Sequence, residues 1–149
     1  MVKLYELRIG NFFHVELPPT QKKNIKQVRE IRQKHVLLDG VWFHLDELIP
    51  IPLTEEILLK CGFTKFEWIR ESNVFQGTYF NCKVDENGVQ AFGADLNNLK
   101  PVKYLHEFQN LFFQLTDTEL EVHFTESDLA EDEIELSAKP QFVVLSSNA

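Results

Sequence analysis

Alternating apolar and polar positions predict short β-strands through the first fifty residues of the chain. Two strand-like runs lie within residues 3–17, on either side of Gly10-Asn11, where glycine allows the backbone to turn. Residues 22–34 are compatible with a helix, but the β-branched Val28 and Ile31 in a polar run favour a strand. We therefore expect a meander of strands in this part of the chain.

The clearest hairpin lies at residues 35–45. Asp39-Gly40 separates two apolar runs, and this dipeptide favours a two-residue turn because both positions accept a positive φ. A 3₁₀ turn at residues 46–48 and a proline-flanked strand at residues 49–51 are expected to follow. Such short, closely spaced strands predict a small SH3-like barrel. Its expected core comprises Leu7, Ile9, Phe12, Val28, Ile31, Val36, Leu38, Trp42, Leu45 and Ile49.

A short helix is predicted to begin after Thr54, whose hydroxyl can accept hydrogen bonds from the amides of the first turn. Glu55 and Glu56 suit the positive end of the helix dipole, and Gly62 is typical of the residue that ends a helix. Because two helical turns are stable only when packed, we expect this helix to hold the two halves of the chain together. The side chains predicted to lie buried between the halves are Ile57, Leu58 and Cys61.

Strands and one long helix are predicted for the second half. Residues 63–92 predict an antiparallel meander with a turn at residues 85–88. Apolar positions at helical spacing predict a helix over residues 103–116, and residues 119–124 alternate as a strand. The polar side chains expected on the outer surface of this helix are His106, Glu107, Gln109, Asn110 and Gln114.

Together these elements predict an α+β protein. We expect a small SH3-like β-barrel at residues 1–53, packed on an α+β unit at residues 54–124, with an acidic C-terminal extension at residues 125–149. Packing of the two units is expected because a barrel with so few core residues is marginal alone.

Charge is distributed unevenly along the chain. The net charge of −8 argues against a protein that binds nucleic acid with its whole surface. Residues 1–53 carry eight basic and six acidic side chains, whereas residues 125–149 carry one basic and six acidic side chains. The locally basic stretch therefore lies in the first third.

The cysteine pattern and the apolar runs bear on the compartment. Cys61 and Cys82 lack the spacing of a metal or redox motif, so we expect two buried thiols in a reducing compartment. The N-terminus lacks a signal-peptide pattern, and no apolar run approaches the roughly 18 residues of a membrane span. A cytoplasmic protein without membrane association is expected.

Three blocks of sequence carry a family resemblance. They are ELRIGN followed by an aromatic residue at residues 6–12, PIPLTEEILLKCGF at residues 50–63, and YLHxxQNLxFxLTxxEL at residues 104–120. Together they resemble a family of small uncharacterised proteins encoded in phages, prophages and genomes of Bacteroides-type gut bacteria. Asp117 stands where glycine is commoner in that family, so the turn after the helix can differ. The resemblance implies a phage or mobile-element origin and no catalytic activity.

The basic stretch at residues 22–34 is the best candidate for a binding surface. A basic rim on a small barrel can bind phosphates with weak, salt-dependent affinity. The simpler interpretation is a solvated strand face. The candidate side chains are Lys22, Lys23, Lys26, Arg29, Arg32 and Lys34.

Catalytic, metal and cofactor motifs are not evident. His35 and His44 flank the Asp39-Gly40 turn and can approach each other, with Asp46 nearby, but their spacing matches no specific metal motif. Cys61 lies at a helix C-terminus, where the dipole raises the pKa of a thiol. We therefore predict no catalytic residue, metal ligand or cofactor, and no enzyme.

Two functional hypotheses remain. The first is a non-enzymatic interaction or accessory protein that binds a protein partner through exposed aromatic side chains or the barrel edge. The second is a nucleic-acid-binding module that uses the basic residues 22–34. The sequence indicates neither the partner nor the oligomeric state.

Overall fold

The computed structural model describes residues 2–17, 22–66, 73–93, 96, 99–125 and 128. The strands are β1 (Phe12–Leu17), β2 (Lys22–Arg32), β3 (His35–Leu38), β4 (Val41–His44), β5 (Thr64–Lys65), β6 (Val74–Gln76), β7 (Asn81–Asp85) and β8 (Gly88–Phe92). The helices are α1 (Glu55–Lys60) and α2 (Leu105–Thr116), and single 3₁₀ turns occupy Leu4–Glu6 and Leu45–Glu47. The fold is α+β, as the sequence predicts, with two antiparallel sheets in the strand orders β1-β2-β3-β4 and β5-β6-β7-β8.

The first sheet is curled into a half-barrel. Its longest strand, β2, pairs with β1 through its first half and with β3 through its second half. The pairing register shifts between Val28 and Glu30, and such a bulge bends a strand. Beyond β4, Ile49 exchanges two backbone hydrogen bonds of 2.9 Å with His14, which draws the chain after β4 back to the edge of β1. Of the predicted strand at residues 49–51, only Ile49 pairs with the first sheet, through this bridge to His14.

The first core is the cluster of buried side chains inside the half-barrel. Its members are Val2, Leu7, Phe13, Val15, Val28, Val36, Leu38, Phe43, Leu45 and Leu48. Four expected members lie outside this cluster. The side chains of Ile9 and Trp42 are 59% and 41% exposed, Phe12 packs against the core of the second sheet, and Ile49 is only partly buried. The predicted strand before Gly10 is instead a 3₁₀ turn, which leaves Ile9 outside. In β4, alternation places Phe43 inward and its neighbour Trp42 outward.

Helix α1 forms as its capping residues predict. The hydroxyl of Thr54 accepts a hydrogen bond of 3.2 Å from the Ile57 amide, and Gly62 takes a φ of +91°. Leu58 and Cys61 are buried, as expected, whereas Ile57 is only partly buried. These side chains lie in the core of the second sheet, against which Phe12 and Ile25 of the first sheet also pack.

The second core fills the space between the second sheet and the helices. Four rings, those of Phe63, Phe80, Phe108 and Phe112, pack with centroids 5.6–6.2 Å apart. Its members are Ile51, Leu53, Leu58, Cys61, Phe63, Phe75, Phe80, Cys82, Val89, Ala91, Leu105, Phe108, Phe112 and Leu120. Phe12 and Ile25 pack against it from the first sheet, so the β1–β2 ribbon contributes side chains to both cores.

The strand predicted at residues 119–124 is not part of either sheet. Leu120 is buried in the second core, and burial alternates along the segment as the sequence predicts. The segment nevertheless forms no β-ladder, and the His123 amide instead donates a hydrogen bond of 2.8 Å to the Lys60 carbonyl. Its position is therefore set by the end of α1 and by side-chain packing.

A polar contact joins α2 to the chain that enters β1, and we call it the α2 seam. The Gln109 side chain accepts a hydrogen bond of 2.9 Å from the Phe12 amide and donates one of 3.0 Å to the Gly10 carbonyl. Gly10 has a φ of +101°, a conformation that favours glycine. Gln109 is 2% exposed, so these bonds form away from water and fix the helix against the strand.

Asn110 extends the α2 seam toward the N-terminus. Its amide group donates a hydrogen bond of 2.6 Å to the Glu6 carbonyl, and its oxygen accepts one of 2.9 Å from the fully buried Asn11. Arg8 donates to the same oxygen at 3.3 Å, lies 4.2 Å from the Phe113 ring centroid and forms an ion pair with Glu119. The seam is therefore a connected network rather than a single contact.

His106 also belongs to the α2 seam, contrary to its expected place on the helix surface. The side chain is 1% exposed, and its ring centroid lies 4.8 Å from that of Phe13. Its Nε2 lies 3.1 Å from a carboxylate oxygen of Glu6. Part of the face of α2 that the sequence presents as polar is thus buried, because the N-terminal segment covers His106 and Gln109, whereas Gln114 is exposed.

We expect the Gln109→Ala substitution to lower the free energy of unfolding by about 2–3 kcal/mol, because it removes the buried side chain that bonds the Phe12 amide and the Gly10 carbonyl. Gln114→Ala is the matched control, since Gln114 is an exposed glutamine of the same helix and its replacement changes stability by about 0.5 kcal/mol at most. Urea denaturation followed by tryptophan fluorescence measures both. Equal losses in the two variants would contradict the role of the seam.

Candidate functional site

The β3–β4 hairpin presents the most prominent exposed aromatic surface of the first sheet. Asp39 and Gly40 have φ values of +50° and +81°, as a two-residue turn with the right twist requires. This turn fixes the pairing of Leu37 with Trp42 and of His35 with His44. Because Val36 and its partner Phe43 face the core, the pairs on either side of them face outward.

Trp42 and Arg32 form the centre of this surface. The Arg32 guanidinium lies 5.2 Å from the centroid of the Trp42 ring, a distance at which a cation attracts an aromatic face. An open hollow of about 630 Å³ lies beside them. We call the lining of this hollow the Trp42 face, and its residues are Arg32, Gln33, His35 and Trp42.

The two histidines of the hairpin meet across the strands, as the sequence predicts. Their ring centroids are 5.2 Å apart in an edge-to-face arrangement. The Nδ1 atom of His44 accepts a hydrogen bond of 3.1 Å from the Asp46 amide and lies 3.3 Å from the Asp46 carboxylate. Within the described ranges, no group of three or more histidine, cysteine or acidic side chains is placed to hold a metal ion.

The six predicted basic residues do not form one surface. Lys26 and Arg29 line a smaller hollow of about 240 Å³, which we call the Lys26 hollow. The Lys26 ammonium forms an ion pair of 3.0 Å with Asp39 there. The other residues that line this hollow are Phe12, Ile25 and Gln27.

The remaining basic residues lie apart from the Lys26 hollow. Arg32 belongs to the Trp42 face, where its Nε atom forms an ion pair of 2.7 Å with Glu30. Lys34 is exposed in the turn before β3, where its carbonyl accepts a hydrogen bond from Leu45. The side chains of Lys22 and Lys23 lie outside the part of the chain that the structure describes. Two of the four described cations are therefore neutralised by carboxylates.

Trp42 is the residue of this surface that sequence reasoning misplaced. The signal that could have identified it is the Asp39-Gly40 turn, because a two-residue turn pairs Leu38 with Val41 and so fixes every later position. If Leu38 faces the core, Phe43 faces it too, and Trp42 faces outward. The hydrophobicity of tryptophan favours a buried side chain, but the strand register places Trp42 on the outer face of the sheet.

The two cysteines are free, buried thiols of the second core. Burial raises the pKa of Cys61 to about 12, and burial together with the nearby Cys61 raises the pKa of Cys82 to about 12. At neutral pH both side chains are therefore protonated and poorly nucleophilic. The expected increase for Cys61 is correct in direction, but desolvation is its cause.

Comparisons with known proteins identify no relative: no family model, no curated protein and no solved structure matches the chain. Among the described residues, no helix is long and apolar enough to span a membrane.

Burial of the Cys82 thiol predicts that the stability of the protein depends on pH in the alkaline range. Below the ordinary thiol pKa near 9, the folded and unfolded chains both hold the Cys82 proton, and ionisation does not affect stability. Between pH 9 and about 12 only the unfolded chain loses it, so the Cys82 contribution to the free energy of unfolding falls as pH rises. The stability advantage of the native chain over Cys82→Ala should shrink across this range. Urea denaturation of both proteins at pH 7 and at successive pH values above 9 measures it, and a constant advantage would contradict the burial.

Proposed function

We propose that this protein is a non-enzymatic interaction module that binds a partner protein through the Trp42 face. The observation that carries this proposal is the Trp42 ring, which is 41% exposed beside Arg32 at an open hollow. Tryptophan and arginine are enriched among the few residues that dominate the energy of protein interfaces.

Neighbouring features suit an extended protein segment. Leu37 pairs with Trp42 and is partly exposed on the same face of the sheet, so apolar area continues across the hairpin. Strand β4 is the last in the order of its sheet, and its outer edge can accept the backbone of another strand. The partner that fits is an extended segment with an apolar or aromatic anchor for the Trp42 face and a polar group for His35 or Gln33.

Binding of nucleic acid by residues 22–34 is the second candidate. Arg29 and Lys34 support it, because neither forms an ion pair within the described residues. Against it, carboxylates already neutralise Lys26 and Arg32, and the whole chain carries a net charge of −8. A phosphate would have to displace Asp39 or Glu30, whereas an apolar protein anchor would not, so we favour a protein partner.

Three finer assignments belong to the same proposal. The SH3-like character of the first sheet is supported by the 3₁₀ turn at Leu45–Glu47 and by the bridge from Ile49 back to β1 that follows it. Phage or mobile-element origin is supported by the three sequence blocks at residues 6–12, 50–63 and 104–120. Action by binding rather than catalysis is supported by the raised pKa values of both thiols.

A photo-crosslinking amino acid placed at position 35 in the host cell should capture a distinct protein partner, because His35 is exposed and lines the Trp42 face. Leu59 is the control position, because its side chain is 54% exposed on α1, away from the Trp42 face. We expect an adduct from position 35 and none of the same mass from position 59. The Trp42→Ala substitution should abolish the adduct while changing the free energy of unfolding by only about 1 kcal/mol, since Trp42 faces outward.

The result is read from gel mobility and mass spectrometry of the adducts. No adduct from position 35, or the same adduct from both positions, would contradict the proposal. A nuclease-sensitive adduct that weakens as salt increases would favour the nucleic-acid alternative instead.

A further inference from the structure

The Lys26 hollow lies where the described chain runs into its acidic C-terminal extension. The Phe124 ring packs edge-on against Phe12, which lines the hollow, with centroids 5.1 Å apart. Asp128 then forms an ion pair of 2.9 Å with Lys60. A hydrogen bond from the Thr125 amide and the contact with Lys60 lower the pKa of Asp128, which keeps this anchor ionised. The chain therefore lies beside the hollow at Phe124 and is held at Lys60 by Asp128.

Charge complementarity identifies an occupant for this hollow. Lys26 and Arg29 line it, and Asp39 is the only carboxylate among the described residues that line it. Residues 129–149 lie outside the described residues, and acidic side chains are dense near their start, at Glu131, Asp132, Glu133 and Glu135. An extended chain spans about 3.3 Å per residue, so Asp128 lies at most about 13 Å from Phe124, and residues 131–135 can reach about 10–23 Å beyond Asp128. The hollow beside Phe12 is therefore within reach of this segment.

We propose that the acidic segment at residues 131–135 docks in cis on the Lys26 hollow. Its carboxylates pair with Arg29 and share Lys26 with Asp39 at the protein surface, beside the apolar side chains of Phe12 and Ile25. The contact covers these two cations of β2 and denies them to other polyanions. This proposal does not depend on what binds at the Trp42 face, which is lined by different residues.

An intramolecular partner fits the strength of this site better than a separate acidic ligand. Ion pairs at a protein surface contribute only about 0.2–1 kcal/mol each, which is too little to hold a free ligand at low concentration. A segment tethered a few residues away experiences an effective concentration of roughly millimolar, so pairs of this strength populate the contact partially. Because the pairs are weak, the contact should be reversible and sensitive to salt.

Paramagnetic relaxation in the full chain tests this contact. A nitroxide attached to Ser137→Cys should selectively broaden the amide signals of Lys26, Arg29 and Asp39. The native thiols do not compete for the label, because both are buried with pKa values of about 12. Broadening should disappear in about 1 M salt, where the screening length falls to about 3 Å. It should also be lost when the four carboxylates are neutralised by Glu131→Gln, Asp132→Asn, Glu133→Gln and Glu135→Gln.

A control and two further outcomes keep the test specific. Lys83→Gln removes an exposed cation from β7, away from the hollow, and should leave the broadening unchanged. Absence of broadening at low salt would overturn the proposal. Broadening that survives both salt and charge neutralisation would also overturn it, since the apolar residues 142–145 would then hold the tail. Broadening of isotope-labelled, nitroxide-free chains by added spin-labelled chains would show docking on a second copy and overturn docking in cis.

Discussion

The α2 seam is the contact on which the rest of the structure depends. Gln109 and Asn110 satisfy the backbone at Gly10, Phe12 and Glu6 with hydrogen bonds that lie largely away from water. A buried polar network of this kind permits one register, because a shift of one residue would leave several buried groups without partners. The seam therefore fixes where β1 begins, and the position of β1 sets the β2 strand that carries side chains into both cores.

The three stretches that carry the family resemblance meet around this contact. The first supplies Glu6, Arg8 and Asn11, and the third supplies the polar face of α2. The second stretch joins them through the backbone, since the Leu105 amide donates a hydrogen bond of 2.8 Å to the Ile51 carbonyl. The fold therefore explains why these stretches contain these residues. The exposed side chains that are available for binding lie elsewhere, on the β3–β4 hairpin and at the Lys26 hollow.

The charge pattern of the chain is explained by its folded contacts. Basic residues of the first third approach carboxylates of their own sheet, as Lys26 does with Asp39 and Arg32 with Glu30. Arg8 and Lys60 pair instead with residues of the last part of the chain, Glu119 and Asp128. Cations that look available in the sequence are thus partly used within the protein, and the Trp42 face is more apolar than its sequence neighbourhood indicates.

Local chemistry determined several elements from the sequence alone. Asp39-Gly40 encodes its hairpin through positive φ, Thr54 and Gly62 encode the ends of α1, and apolar spacing encodes α2. The raised pKa of Cys61 and the closeness of His35 and His44 could also be anticipated. Each depends on a few neighbouring residues, so no knowledge of distant contacts is needed.

Tertiary structure alone decided which side of each element is exposed. His106 and Gln109 are buried because the N-terminal segment covers them, and that segment lies about a hundred positions away in the chain. Trp42 is exposed because strand register outweighs its hydrophobicity, and residues 119–124 stay outside the sheets because the end of α1 holds them. Burial is a property of the pair of surfaces that meet, and a periodic pattern in one segment does not specify which distant segment will cover it.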